Sequence, residues 1–158
     1  SINPNIVTSN LQVLQSFQKG DLLIGIIKVE AEETLGHYAD WLQIPTQEIR
    51  SLNQFKYGAP ISIDQKIKIS MRKKTIQEFE EKRYEFHKEI EEDFFESFSI
   101  QGLDIYEVKN GDSIWGLCLN ELEIPFWLLK KYNPEMNFDT LIPSQKIKYP
   151  IISKRQES

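Results

Sequence analysis

The stretch Gln65–Ile69 (QKIKI) recurs 80 residues later as Gln145–Tyr149 (QKIKY). At the same offset Asn53 corresponds to Asn133. Nearer the start of each copy the offset falls to 79, which places one extra residue of the second copy near Leu119–Glu123. Further matches are Ile44-Pro45 with Ile124-Pro125, Ile61 with Leu141, and Glu33-Thr34-Leu35 with Asp112-Ser113-Ile114. Matches in the same order over roughly 45 residues indicate an internal repeat.

Each copy predicts a β-α-α-β unit. It opens with a β-branched or aromatic run, Leu22–Val29 or Leu103–Val108, which is typical of a strand. Apolar residues at helical spacing follow, and the Ile-Pro step ends one helix and begins the next. A closing strand alternates apolar residues with lysine. Strands this short must pair with each other beneath the helices, so the fold class is α+β.

The ends of these helices have candidate capping residues. Asp112 stands where the first helix of the second copy needs an N-cap, and Glu33 occupies the matching position in the first copy. Asn53 and Asn133 follow the second helix, and asparagine tolerates the left-handed conformation with which helices often end. The sequence therefore predicts Asp112 and Glu33 as N-caps and the two asparagines as left-handed C-caps.

A different kind of segment joins the two copies. Between Thr75 and Phe98 there is no Gly or Pro, and apolar residues recur on one helical stripe. This pattern predicts an amphipathic connecting helix over residues 74–99, packed as part of the core because its phenylalanines would otherwise be solvated. Residues 1–20 are predicted to be an N-terminal extension with a short helix, and residues 152–158 a tail. The stripe consists of Ile76, Phe79, Phe86, Ile90, Phe94 and Phe98.

Composition excludes several classes of function. The net charge of −5 argues against a nucleic-acid partner, because phosphate neutralisation needs clustered Lys and Arg. No apolar run has the length of a membrane span. The single cysteine, Cys118, lies on an apolar helical face, and His37 and His87 have no companion motif. We therefore predict no catalytic residues, no bound metal and no cofactor, and a protein that is not an enzyme.

The repeat resembles the LysM family. The resemblance is closest in the second copy, through Tyr-x-Val-x-x-Gly-Asp-Ser-Ile-Trp (106–115), Asn133-Pro134 and the Pro-x-Gln-x-Ile-x-x-Pro ending (143–150). The first copy departs from it, since Glu32 replaces the glycine and Gly36 stands where the second copy has Trp115. The resemblance implies two LysM-like βααβ modules, module 1 (residues 21–70) and module 2 (residues 103–151), joined by the long amphipathic helix.

The resemblance also implies a ligand. LysM modules bind N-acetylglucosamine-containing polymers in a groove between the loop after the first strand and the loop before the last. It implies a non-catalytic bacterial protein of the cell envelope, periplasmic or extracytoplasmic, that binds peptidoglycan or a related polymer, with module 2 as the principal site. The implied contacts in module 2 are Asn110, Gly111, Asp112, Ser113, Ile114, Asn133, Pro134, Leu141 and Ile142, and those of a weaker second site are Glu32, Glu33, Thr34, Leu35 and Ile61.

A second class of function remains open. The same module also serves as a docking or scaffold element in envelope and phage-tail-like assemblies, where it contacts protein. Each copy carries more acidic than basic residues, so neither gains long-range attraction to an anionic wall polymer. The connecting helix would then be the surface for another envelope protein.

Overall fold

The computed structural model describes residues 11–156 and shows a mixed α+β chain. The described residues divide into two compact units, 11–91 and 92–156. The strands are β1 (Gln15–Lys19), β2 (Leu22–Lys28), β3 (Lys66–Ser70), β4 (Phe98–Glu107) and β5 (Lys146–Lys154). The helices are α1 (Leu35–Leu42), α2 (Thr46–Asn53), α3 (Ile76–Ser97), α4 (Ile114–Gly116) and α5 (Phe126–Tyr132), and a π-helical turn (Leu117–Glu121) continues α4.

Both modules have the predicted βααβ path. In module 1, β2 pairs antiparallel with β3, and in module 2, β4 pairs antiparallel with β5. The repeated apolar positions of the closing strands, Ile67 and Ile147, are fully buried against the helices. The predicted fold class is therefore confirmed.

The extra residue of module 2 lies in its first helical segment. The π-helical turn Leu117–Glu121 overlaps the stretch in which the change of offset placed the insertion. A π turn accommodates one additional residue within a helix without breaking it. Beyond the turn the two modules come back into register, since Gln43 and Glu123 both adopt positive φ angles at an offset of 80.

The predicted N-terminal helix, Ile6–Phe17, is wrong over residues 15–17, which belong to a strand; residues 1–10 lie outside the described part of the chain. Gln15–Lys19 is a strand that pairs with β2, from Lys19 opposite Leu22 to Gln15 opposite Ile26. Gly20 has a φ of +63° and opens the two-residue turn between them. Glycine at this position favours a tight hairpin, and its ladder of backbone hydrogen bonds overrides the weak helical pattern.

Two predicted boundaries also shift at the second unit. Phe98 begins β4 instead of extending the connecting helix, and residues 152–154 belong to β5 instead of the tail. Phe98 pairs with Lys154, and a register shift between Ile100 and Gly102 lets this ribbon continue beyond the module.

The connecting helix is part of the core of the first unit, as predicted. Phe79 is fully buried, and Ile76 and Phe86 pack against the same cluster. In the second unit Phe94 meets Trp127 edge-on, with ring centroids 5.4 Å apart. The predicted apolar stripe did not include Arg83, which lies on the same helix and is also fully buried.

Candidate saccharide-binding loops

The two loops predicted to form the groove are joined at their base in each module. In module 1 the backbone amide of Val29 donates to Gln65, and that of Asp64 donates back to Val29, both at 2.8 Å. In module 2 the amide of Val108 donates to Gln145, and that of Ser144 to Val108, again at 2.8 Å. The fold therefore holds the residues after the first strand beside those before the last.

The repeated glutamine shapes the second loop. The Gln65 side-chain carbonyl accepts from the amide of Ser62 at 2.8 Å, and that of Gln145 accepts from Ile142 at 3.0 Å. The same bond in both modules explains why glutamine precedes Lys-Ile-Lys in each copy.

The first loop is closed by a carboxylate, and the predicted N-caps are wrong by one residue. Asp112 accepts hydrogen bonds from the Lys109 amide at 2.7 Å and from the Tyr106 hydroxyl at 2.8 Å. These bonds hold the pKa of Asp112 below its usual value. The N-cap is Ser113, whose hydroxyl accepts from the Gly116 amide. Because the Asp112 carboxylate already bonds across the loop, the Ser113 hydroxyl caps the helix instead.

Module 1 follows the same plan with Thr34 as the N-cap of α1. Its hydroxyl accepts from the His37 amide, and its own amide donates to Nδ1 of His37, both at 3.1 Å. The His37 ring also lies 4.4 Å from the ring of Phe86. His37 is therefore a capping residue packed against the connecting helix.

Glu33 is buried in a charge network that has no counterpart at Asp112. Its side chain is fully buried, and the Arg83 guanidinium donates to both carboxylate oxygens, at 2.7 and 2.9 Å. The Tyr38 hydroxyl donates at 2.6 Å, and Nε2 of His87 lies 2.7 Å from the carboxylate. Because a carboxylate only accepts, this His87 nitrogen must carry the proton. Burial raises the pKa of Glu33, but the bonds from His87, Arg83 and Tyr38 outweigh it and bring the pKa to about 2.

Asn53 and Asn133 tie the second helix to the closing strand. The Asn133 amide donates to the carbonyls of Leu129 and Lys148, and its oxygen accepts from the Lys148 amide. Asn53 makes the same three bonds with Ile49 and Lys68.

The predicted left-handed C-caps are wrong for both asparagines. Asn133 has a φ of −138°, and in module 1 the left-handed residue is Gln54, which follows Asn53. Asparagine stands at each of these positions because its side chain links a helix carbonyl to the backbone of the closing strand.

The turn before the first helix is left-handed in both modules. Gly111 has a φ of +91°, and Glu32 has a φ of +73° at the equivalent position. A side chain in this region costs about 1–2 kcal/mol, which glycine avoids. The loops therefore share one backbone shape although their sequences differ.

The predicted contacts of module 2 divide by accessibility. Asn110, Gly111, Ser113, Pro134 and Ile142 are exposed. Asp112 and Leu141 are half-buried, whereas Ile114 and Asn133 are buried. In module 1, Glu32 and Thr34 are exposed, Ile61 is half-buried, and Glu33 and Leu35 are buried.

An exposed tryptophan follows the first loop of module 2, and the predicted contacts omitted it. The Trp115 ring is 62% exposed and lies 4.9 Å from the ring of Phe126. Phe138, from the second loop, meets the same Phe126 ring edge-on, with ring centroids 5.0 Å apart. The sequence signal was the tryptophan of the quoted motif, one residue beyond the predicted contacts.

Module 1 has an open cavity of about 520 Å³ between its loops. Predicted residues Glu33, Thr34, Leu35 and Ile61 line it. The other lining residues were not predicted: Gly36, Thr46, Arg50, Gly58, Ala59 and Pro60.

The repeat explains why the two surfaces differ. At the offsets of the repeat, Trp115, Phe126 and Phe138 of module 2 correspond to Gly36, Thr46 and Gly58 of module 1. Three large rings thus replace three small residues around the same groove. Module 1 presents a cavity, and module 2 presents an aromatic surface.

The LysM domain model matches residues 27–70 and 106–150, more than half of the chain. The protein belongs to the LysM family. No curated protein matches it. LysM is a family of binding domains, not a catalytic one, and its general ligands are peptidoglycan and other N-acetylglucosamine polymers. LysM domains are typically extracellular or associated with the cell envelope.

The surroundings of the single cysteine, and of the possible metal ligands, do not form a reactive site in the described part of this LysM protein. Burial raises the pKa of the Cys118 thiol to about 11, which disfavours the thiolate nucleophile. Among residues 11–156 no three His, Cys, Asp or Glu side chains form a group that could hold a metal ion. Within the same range, no helix has the length and apolar character of a membrane span.

Proposed function

We propose that this protein is a non-catalytic bacterial envelope protein that binds peptidoglycan or a related N-acetylglucosamine polymer through its LysM modules. Module 2 is its principal saccharide site. The observation that carries the proposal is the exposed Trp115 ring, which follows the first loop and packs on Phe126, the ring that Phe138 of the second loop also contacts. A large exposed aromatic ring is informative because soluble proteins normally bury it, and one face of a sugar ring is apolar enough to cover it.

The loops around Trp115 supply the polar half of such a site. Gly111 has no atom within 4 Å of the place where a Cβ would stand, so a ligand can approach its backbone. The exposed Asn110 side chain and the backbone groups of this turn suit the N-acetyl and hydroxyl groups. Ile142, 63% exposed, and half-buried Leu141 add apolar surface on the other loop. The side chains of Asn133 and Ile114 are buried, so these residues support the loops and do not contact the saccharide.

Titration of the whole chain with chitotetraose, followed by amide and indole resonances, tests this proposal. We expect shifts at Gly111–Ser113, at Leu141–Ile142 and at the Trp115 indole. Covering about 50 Å² of that ring contributes about 1.2 kcal/mol, so Trp115→Ala should weaken binding about eightfold. The matched control is Leu119→Ala, which removes another side chain that is mostly exposed. Equal effects of both variants, or no shifts at millimolar ligand, would refute the proposed site.

The absence of catalysis needs its own measurement. Purified peptidoglycan incubated with the protein should release no new reducing ends and no free amino groups. Release that exceeds a heat-denatured control would show that the chain is an enzyme.

Protein docking is a second candidate function, and the free edge of β4 favours it. In module 1, β1 pairs with the edge of β2, but in the described part of module 2 the sheet contains only β4 and β5. Leu103 and Ile105 on β4 are 49% and 57% exposed. Unpaired edges accept additional strands, so a partner strand would add to β4 as β1 adds to β2.

A crossed experiment separates the two candidates. Ile105→Lys should prevent strand addition while leaving glycan binding unchanged, since a charge blocks an edge. Trp115→Ala should do the opposite. If Ile105→Lys left co-sedimentation with an envelope assembly unchanged, strand docking would be excluded.

A further inference from the structure

The cavity of module 1 contains one cation that is not neutralised by a carboxylate. Arg50 lies on α2 and lines the cavity between the two loops. Its Nη1 donates to the Gln47 side chain at 3.3 Å, and its guanidinium lies 4.8 Å from the centre of the Tyr57 ring. Within residues 11–156 no ion pair forms at Arg50. A guanidinium has five N–H donors, so most of them remain for a ligand.

The carboxylate that shares this cavity does not compete for Arg50. Glu33 also lines it, but both of its oxygens accept from Arg83. The Tyr38 hydroxyl and Nε2 of His87 also hydrogen-bond to the Glu33 carboxylate. The fixed charges that line the cavity are therefore an internally paired anion and an available cation.

Small residues give an anionic group room to reach that cation. A Cβ at Gly36 would meet only the Thr34 hydroxyl, at 3.5 Å, and one at Gly58 would meet nothing within 4 Å. In module 2 the aromatic residues Trp115 and Phe138 stand at these positions, and Lys130, the counterpart of Arg50, is 9% exposed. The two grooves thus differ in both space and charge.

We propose that the groove of module 1 binds a carboxylate-bearing saccharide and that Arg50 is the residue that selects it. This inference rests on the proposed function and assigns the two modules different parts of a wall polymer. The carboxylate comes from either of two sources, the lactyl acid of a muramic residue or the attached peptide. A planar guanidinium fits both because it meets a carboxylate with two parallel hydrogen bonds.

Binding of three oligomers to the full chain tests the inference. Chitotetraose is neutral, a peptide-free GlcNAc–MurNAc tetrasaccharide carries free lactyl acids, and the same tetrasaccharide with peptides carries only peptide carboxylates. Shifts at Thr34, Gly58 and the Arg50 side chain report on module 1. We expect at least one acidic oligomer to bind there about tenfold more tightly than chitotetraose, and the more tightly bound one identifies the source of the carboxylate.

Variants and salt distinguish selection by charge from a structural role. Arg50→Gln should remove the preference without changing the melting temperature, and Arg50→Lys should retain part of it. Lys82→Gln makes the same change of charge at an exposed position outside the cavity and should have no effect. The preference of the wild type should fall as salt rises. Gly36→Trp, which introduces the residue of module 2, should fill the space beside Arg50 and remove the preference for the acidic oligomers.

The outcomes separate this inference from the proposed function. Equal binding of neutral and acidic oligomers at module 1, unaffected by Arg50→Gln, overturns the role of Arg50 but leaves glycan binding in place. Binding confined to module 2 overturns the inference alone. The absence of binding at either module overturns both.

Discussion

Replacing Arg83 with methionine should destabilise the first unit strongly. The change removes the guanidinium but leaves Glu33 buried, and it leaves the carbonyls of Leu11 and Lys28 without their donor. Removing one partner of a buried ion pair costs about 3–5 kcal/mol, because the remaining charge is uncompensated. We expect the free energy of unfolding of residues 11–91 to fall by that amount in Arg83→Met.

Acid should produce a related loss in the wild type. The pKa of Glu33 is about 2 in the folded protein, against 4.5 for an unperturbed glutamate. A lowered folded pKa stabilises the protein above the unfolded value, and this stability disappears as pH falls from about 4.5 towards 2. A difference of this size corresponds to on the order of 3 kcal/mol. Arg83→Met should lose much of this pH dependence.

The indole N–H resonance of Trp41 provides the assay. Trp41 is 8% exposed and belongs to the core of the first unit, so its signal during urea titration reports on that unit. Lys82→Met removes a charge from an exposed site on the same helix and should change stability by less than about 0.5 kcal/mol. Glu33→Gln combined with Arg83→Met should cost less than Arg83→Met alone, since no buried charge is then left unpaired.

The reasoning fails if Arg83→Met costs less than about 1 kcal/mol, a value typical of an exposed salt bridge. It fails equally if the double variant is no more stable than the single one. Either result would mean that the network of Glu33 and Arg83 is solvated.

Three further predictions test individual features of the modules. Asn133→Ala should cost about 2–3 kcal/mol in urea unfolding of the second unit, because three backbone groups lose their partner; a cost below 0.5 kcal/mol, within roughly the range of surface changes, would contradict this role. Glu32→Gly should stabilise the first unit by up to about 1 kcal/mol, and Gly111→Ala should destabilise the second by about 1 kcal/mol through backbone strain alone, since no atom lies near that Cβ; effects of the same sign would refute it. Phe79→Ala should cost about 3–5 kcal/mol, more than Phe86→Ala at a half-buried site, as measured by thermal and urea unfolding.

Much of the fold could be predicted from the sequence because the same pattern of strands and helices occurs in both copies of the repeat. Alternation in Lys66–Ser70 and Lys146–Lys154, with an Ile-Pro step between two helical patterns, is a local signal that hydrophobic burial enforces. The change of offset even located the π-helical turn, since an insertion in a repeat must bulge wherever the flanking residues stay in register. Local patterns of this kind depend on neighbours within a few residues.

The strand β1 depended on a distant partner. Nothing in Gln15–Lys19 distinguishes it from a short helix until the edge of β2 offers backbone hydrogen bonds. The local signal for the hairpin lay in Gly20, outside the strand, and pairing with β2 is what makes Gln15–Lys19 extended.

The candidate site shows the same division. Gly111, Asp112 and the two loops could be predicted because their turn is shaped by adjacent residues. Arg50 could not, since it lies on α2 and reaches the groove only after folding. No local pattern pairs Glu33 with Arg83, which lies 50 residues further along the chain. A charge on a helix is ordinarily solvated, and only tertiary packing, by excluding water from both partners, turns these two into a buried pair.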